Sequence, residues 1–112
     1  MKIEEIYHAI GQSIVDSIDA DWENSILRIT YTGNSIEYNL GYWDNDNIEK
    51  DSDYIGGYEI MKKIDKLHEI TTAEGNNKWN KIEFKLTFDG KINLEFIWDQ
   101  ELFDELEHLS KE

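Results

Sequence analysis

The last third of the chain alternates between apolar and polar residues in two consecutive segments, 79–88 and 92–98. The apolar face of the first segment is Ile82, Phe84, Leu86 and Phe88, and that of the second is Ile92, Leu94, Phe96 and Trp98. Alternation with a period of two is typical of strands that bury one face. Asp89-Gly90 between the segments is a favourable two-residue turn, so the pattern predicts a β-hairpin.

A second alternating pair occupies residues 25–32 and 35–42, around Gly33-Asn34. This pattern predicts another hairpin, although Gly-Asn is a less favourable order than Asn-Gly for a type I′ turn. The two faces of the later strand are predicted to be Ile36, Tyr38, Leu40 and Tyr42 on one side and Glu37, Asn39, Gly41 and Trp43 on the other. Residues 44–53 are polar and acidic and show no periodicity, which predicts a loop.

Three further segments have helical spacing of their apolar residues. The first covers residues 3–18, the second ends near Thr72 with Gly75 just beyond it, and the third is a short terminal helix. The predicted stripes are Ile3, Ile6, Tyr7, Ile10, Ile14 and Ile18 in the first, Ile60, Ile64 and Leu67 in the second, and Leu102, Phe103, Leu106 and Leu109 in the third.

The predicted order of elements is α-β-β-α-β-β-α. At this length we expect one domain, residues 1–112, because 112 residues close one core but not two. The expected class is α+β, with a four-stranded antiparallel sheet of two hairpins and the helices packed on one of its faces. The opposite face of the sheet is then expected to be polar and solvated.

The chain is strongly acidic, with 25 acidic and 11 basic residues and a net charge of −14. The charge is uneven: the net charge is −10 in residues 1–59, +1 in 60–98 and −5 in 99–112. Such a field repels nucleic acid and anionic membranes and attracts cationic partners. There is no cysteine and no apolar run long enough to span a membrane. We therefore expect a cytoplasmic protein that binds neither nucleic acid nor membrane directly.

Catalytic and metal-binding patterns are weak. No two of the three histidines have the i, i+4 spacing that places both on one metal, and no serine has a Gly-x-Ser-x-Gly context. Asp44-Asn45-Asp46-Asn47 resembles the start of a calcium loop, but Glu49 occupies the position where an EF-hand needs glycine, and Ile55 the position where it needs glutamate. We expect a protein that is not an enzyme and that has no cofactor and no metal.

A binding surface is the better-supported prediction from the residues themselves. Tryptophan and tyrosine are favoured interface anchors, and clustered carboxylates accelerate association with a basic partner. These residue types are concentrated within twelve positions, and the candidate binding residues are Trp43, Asp44, Asp46, Glu49, Asp51, Asp53 and Tyr54. The alternative is that Trp43 covers the sheet edge and the acidic residues form a solvated loop. Trp22 and Trp79, at the starts of strands, are expected to belong to the core.

Two stretches of the sequence are similar to a known family. Trp79-Asn80-Lys81-Ile82-Glu83-Phe84-Lys85-Leu86, followed by Gly90-Lys91-Ile92-Asn93-Leu94-Glu95-Phe96, resembles the tryptophan-led hairpin of the YezG-like immunity proteins. Ile10-Gly11-Gln12-Ser13-Ile14-Val15-Asp16-Ser17-Ile18 and Asp21-Trp22-Glu23 resemble the opening helix of that family and its entry into the first strand. Lys78 stands where the family often has proline, and residues 44–59 match poorly.

The resemblance implies a small cytoplasmic antitoxin that binds a toxin domain, usually a nuclease, and neutralises it in a tight non-catalytic complex. An acidic protein suits this function, because nucleases carry basic clefts that bind phosphate. One alternative is an adaptor or secretion chaperone that holds an effector before export, and a carboxylate-based hydrolase is the weaker alternative. The matching stretches determine the fold, so the candidate binding residues come from the physical argument alone.

Overall fold

The computed structural model describes residues 2–32, 35–73, 75 and 78–110. Three helices and five strands follow one another in the order α-β-β-β-α-β-β-α. Their bounds are α1 (Ile3–Ser17), β1 (Asn24–Tyr31), β2 (Ile36–Trp43), β3 (Glu49–Ser52), α2 (Gly57–Thr72), β4 (Lys81–Thr87), β5 (Ile92–Ile97) and α3 (Gln100–Ser110). None of the helices within these ranges is long and apolar enough to cross a membrane.

The strands form one antiparallel sheet in the order β3-β2-β1-β4-β5. Both predicted hairpins are present, and the α+β class is confirmed. The expected four-stranded sheet is wrong, because residues 49–52, predicted as loop, form a fifth strand paired with β2. This strand has no apolar residue to show alternation, and short charged edge strands of this kind are common at sheet edges. The predicted turn at Gly33-Asn34 lies outside the described residues.

The turn between β4 and β5 is longer than predicted. Thr87 N–H donates to the Lys91 carbonyl at 2.9 Å, and Gly90 N–H donates to the Thr87 carbonyl at 2.9 Å. These bonds enclose a three-residue loop in which Gly90 has a φ of 97°, the arrangement of a type I turn followed by a G1 bulge. Phe88 therefore belongs to the loop rather than to the buried face, and its side chain is 70% exposed.

The core lies between α1, α2 and one face of the sheet. The predicted stripes of α1 and α2 supply Ile6, Ile10, Ile14, Ile60, Ile64 and Leu67, and the sheet supplies Leu27, Ile29, Leu40, Ile82, Phe84 and Leu86. Trp22 and Trp79 are both buried in this core, as predicted. Because the side chains of a strand alternate, the even positions of β2, β4 and β5 face the helices and the odd positions face away.

The face of the sheet that points away from α1 and α2, here called the open face, is mostly polar. It carries the exposed side chains of Arg28, Glu37, Asn39, Lys85 and Glu95. Helix α3 does not join α1 and α2: none of its residues belongs to the core cluster, and Phe103 and Leu109 are 41% and 57% exposed. The expectation that all helices pack on one face is therefore wrong for α3.

Candidate partner-binding surface

The acidic segment between β2 and β3 is an ordered turn. Asp44 Oδ1 accepts from the backbone N–H of Asp46 at 3.0 Å, and Asp46 Oδ1 accepts from that of Ile48 at 3.2 Å. Asn47 has a φ of 66°, a left-handed conformation that asparagine tolerates better than most residues. Carboxylate-to-backbone bonds of this type replace the bonds that a regular strand would make. The turn reverses the chain so that β3 pairs with β2.

Two of the candidate carboxylates are held by a lysine on β3. The Lys50 ammonium forms ion pairs with Asp44 and, at 3.3 Å, with Asp46. Hydrogen bonding with the Asp46 side chain and with Lys50 holds the pKa of Asp44 well below its usual value. The bond to Asp44 likewise raises the pKa of Lys50. Asp44 and Lys50 are thus charged at neutral pH, and the main role of the three side chains in the free protein is to fix the turn.

A third candidate carboxylate is paired across the sheet. Glu49 Oε1 lies 3.1 Å from the Arg28 guanidinium, two strands away on the open face. The side chain of Glu49 reaches Arg28 by crossing over Gly41 of β2, and a Cβ atom on Gly41 would lie 2.7 Å from Glu49 Oε1. The glycine is therefore what allows this ion pair to form.

Asp51 and Asp53 differ from the other carboxylates of the segment. Both side chains are exposed. No ion pair or side-chain hydrogen bond involves either carboxylate within the described part of the chain. Asp51 lies on edge strand β3 opposite Gly41, so its negative charge projects from the open face at the edge of the sheet. These two carboxylates are available to a cationic partner without the loss of any internal contact.

Tyr54 packs inward. Its hydroxyl lies 2.6 Å from Ser13 Oγ of α1, and its ring centroid lies 4.8 Å from that of Tyr38. Burial raises the pKa of Tyr54 to about 12, with the hydrogen bond to Ser13 opposing the shift. A Cβ atom on Gly56 would lie 2.5 Å from the Tyr54 ring. The structure thus places Tyr54 as a support for the start of α2, apart from the exposed carboxylates.

Trp43 lies on the open face beside a depression of about 450 Å³. Its strand partner on β1 is Asn24, which in turn is paired with Thr87 of β4. The remaining side chains around the depression include Asn47, Lys85, Lys91 and Asn93, with no aspartate or glutamate among its lining residues. Sequence reasoning did not find these residues, since they come from three separate segments that only the strand register brings together.

The seven predicted residues therefore separate into three groups. Asp44 and Asp46 fix the turn, Tyr54 packs against the core, and the third group consists of the half-buried Trp43 and the exposed Glu49, Asp51 and Asp53. Trp43, Glu49 and Asp51 share the open face, because Trp43 is paired with Glu49 and Asp51 follows two positions later. We call Trp43, Glu49, Asp51 and Asp53 the acidic edge.

The histidines are separated on different elements. His8 and His108 are exposed on α1 and α3. The ring of His68 stacks on Tyr31 with 4.3 Å between centroids, and its Nε2 lies 3.2 Å from the Trp79 carbonyl. His68 thus contributes to packing at the end of α2. Across the described ranges, no group of three or more histidines and carboxylates is arranged to hold a metal ion.

Comparison with models of known protein families finds no match, and comparison with curated protein sequences also finds none. The features of this protein that bear on its function are therefore its charge, the geometry of the acidic edge and the two stretches that resemble YezG-like proteins.

Proposed function

We propose that this protein is an immunity protein of YezG-like type. It binds a cognate toxin domain, a basic nuclease, in the cytoplasm of the producing cell and neutralises it in a tight complex without chemistry of its own. The observation that carries the proposal is the acidic edge, which presents the exposed carboxylates of Asp51 and Asp53 without internal cationic partners in the described part of the chain, with the half-buried ring of Trp43 on the neighbouring strand β2. Free carboxylates together with an aromatic side chain on one edge of the sheet are well suited to a basic protein surface.

The overall charge supports the same conclusion. A net charge of −14 on 112 residues accelerates encounters with a cationic protein. An interface of standard size with a few aromatic anchors supports nanomolar binding, which corresponds to about −12 kcal/mol. Binding of that strength inhibits a toxin without any catalytic group on the inhibitor.

Growth of cells that express the toxin-like domain encoded beside this protein tests the proposal directly. We expect co-expression of this protein to restore growth, and we expect no rescue from an unrelated toxin of similar charge. Purified complex should have no nuclease activity. If the two proteins bind but the nuclease remains active in the complex, immunity is refuted and the adaptor or chaperone alternative applies.

We predict that Asp51→Asn with Asp53→Asn slows association with the toxin by several-fold to about tenfold at low ionic strength. The dependence of the association rate on salt should also become weaker, because two steering charges are removed. Stopped-flow or surface plasmon resonance kinetics at two salt concentrations measures both effects. Asp44 and Asp46 are left intact, since replacing them would release Lys50 and disturb the turn.

The matched control is Glu101→Gln with Glu105→Gln on α3, which changes the net charge by the same amount. Both carboxylates are exposed on α3, which follows β5 in the chain, whereas Asp51 and Asp53 belong to the acidic edge at β3. If only the total charge steers association, both double variants should associate with the toxin at equally reduced rates. That result would show that the acidic edge is not part of the interface.

A further inference from the structure

The two edges of the sheet differ in how they are protected. Strand β3 has four residues, three of them charged, and such an edge resists pairing with another strand. Strand β5 has six residues, Ile-Asn-Leu-Glu-Phe-Ile, with apolar side chains at alternate positions and no proline. No strand pairs with the outer side of β5 among the residues that the structure describes. An edge of this type is a template for strand addition.

The outward backbone groups of β5 follow from the ladder with β4. Thr87 and Lys91 form the hydrogen-bonded pair next to the turn, and hydrogen-bonded and non-hydrogen-bonded pairs alternate from there. The odd residues of β5 therefore bond to β4, whereas Ile92, Leu94 and Phe96 direct their N–H and C=O groups outward. These are also the three residues whose side chains face the helices. Backbone donors, backbone acceptors and apolar side chains thus recur together along this edge.

A groove between α1 and β5 runs beside these groups. It consists of two depressions of about 250 and 440 Å³ that share His8 and Ile92. The first is also lined by Gly11, Gln12, Val15, Leu86 and Gly90, and the second by Glu4, Tyr7 and Leu94. Val15 and Ile92 are 46% and 44% exposed, so apolar surface remains uncovered in the groove. A helix beside a free strand edge is a geometry that accepts an added strand, with alternate side chains of that strand in the groove.

The charges around the groove indicate which kind of segment binds there. Glu4 is the only carboxylate among the residues that line the two depressions, no lysine or arginine lines either of them, and Glu95 is exposed on the other side of β5. A second copy of this chain would bring two molecules with a net charge of −14 together along this edge. A cationic segment with apolar residues at alternate positions places those apolar side chains in the depressions and its cationic side chains on the same face as Glu95.

We propose that an extended cationic segment of the partner protein adds to the edge of β5 as a sixth strand and places alternate apolar side chains in the groove against α1. This inference rests on the proposed function for the identity of the partner as the toxin domain. The docking geometry itself depends only on the free edge and the groove.

Ile92→Pro tests the proposal with little cost to the fold. The N–H of Ile92 points outward, so proline removes a donor for the added strand without breaking the ladder to β4. We expect the affinity for the toxin domain, measured by titration calorimetry, to fall at least tenfold relative to Ile92→Ala, which loses the side chain but keeps the N–H. Equal affinities for the two variants, both folded by circular dichroism, would overturn the proposal.

Amide hydrogen exchange gives a second readout on the unmodified protein. The amides of Leu94 and Phe96 should exchange fast in the free protein and become protected in the complex with the toxin domain. Unchanged exchange at both amides would also contradict strand addition.

A model peptide separates the docking geometry from the proposed function. The probe is the capped peptide Lys-Val-Lys-Val-Lys-Val, and the control is Glu-Val-Glu-Val-Glu-Val. We expect the cationic peptide, but not the anionic control, to shift the NMR signals of β5 and of Tyr7 and His8 on α1. Such binding, in a protein that fails to rescue cells from the toxin, would support the docking edge and refute the immunity proposal. Shifts absent at millimolar peptide, or confined to β3, would refute the docking edge.

Discussion

Trp79→Ala is expected to lower the free energy of unfolding by about 3–5 kcal/mol, the usual cost of truncating a large buried aromatic side chain. Trp79 is 1% exposed, and its ring lies against those of Tyr31, His68 and Phe96. Its indole N–H donates to Thr71 Oγ1 at 2.7 Å, so truncation also removes this hydrogen bond, and the Thr71 hydroxyl keeps its own donation to the Leu67 carbonyl at 2.8 Å. Urea denaturation followed by tryptophan fluorescence and circular dichroism measures the loss.

Trp98→Ala is the matched control for this prediction. Trp98 is only partly buried and contacts Phe103 of α3 and the Lys78 ammonium, outside the core cluster. We expect its replacement to cost about 1 kcal/mol or less. If both substitutions lower the free energy of unfolding to the same extent, the packing around Trp79 contributes no more to stability than the surface contacts of Trp98.

The burial of Trp79 also shows that the resemblance to YezG-like proteins concerns the fold of the chain and not its partner. Ile82, Phe84 and Leu86, which follow it in the matching stretch, are all buried against α1 and α2. Residues of this kind determine how the chain folds and do not reach a partner. The identity of the partner must therefore be sought on surfaces such as the acidic edge and the groove beside β5.

Alternating and helical patterns predicted most of the fold because they follow from burial on one side. Helices α1 and α2 and strands β1, β2 and β4 each bury one face, and β5 partly buries Leu94 and Phe96. Their predicted bounds are close to those observed, except for α2, of which only the end was predicted. Strand β3 was missed because Glu49-Lys50-Asp51-Ser52 buries no apolar side chain, and its pairing depends on the turn before it. Helix α3 was predicted as a helix, but its pattern did not reveal that its apolar stripe remains largely uncovered.

The candidate site was harder to predict from the sequence than the fold. Charge clustering located the acidic segment, but it did not show that Lys50 holds Asp44 and Asp46 or that Arg28 holds Glu49. The partner of Tyr54 is Ser13, which is 41 positions away in the sequence. Such pairings depend on strand register and helix docking, which no local pattern encodes. The free edge of β5 likewise follows only from the order of strands in the sheet.

Asn80→Asp is expected to lower the free energy of unfolding by about 2–4 kcal/mol, although the two side chains have nearly the same shape. Asn80 is 6% exposed, and its amide clamps the backbone of Asp99: Nδ2 donates to the Asp99 carbonyl at 2.9 Å, and Oδ1 accepts from the Asp99 N–H at 2.8 Å. Aspartate replaces the Nδ2 donor with a carboxylate oxygen that faces a carbonyl oxygen. The substitution therefore removes a hydrogen bond and buries a negative charge.

The Asn80→Asp substitution should also destabilise α3, because Asp99 caps this helix. The Asp99 carboxylate pairs with the Lys81 ammonium at 2.8 Å and accepts from Leu102 N–H at 3.0 Å, and these contacts, the first above all, hold its pKa below the usual value. Releasing Asp99 removes the cap, so helical content measured by circular dichroism should fall along with stability. Asn93→Asp, the same change at an exposed position of β5, should alter stability by about 0.5 kcal/mol or less.

The pH dependence of Asn80→Asp distinguishes the clamp from a general loss of packing. Burial beside an unfavourable carbonyl raises the pKa of the introduced carboxyl group in the folded state above its value in the unfolded chain. The folded state then binds the proton more tightly, so the deficit relative to the wild-type protein should shrink as the pH falls from 7 to 5. A protonated carboxyl group can donate to the Asp99 carbonyl as the amide does. If the difference in free energy of unfolding stays constant over this range, the hydrogen bonds between Asn80 and Asp99 do not account for the stability of the junction between β4 and α3.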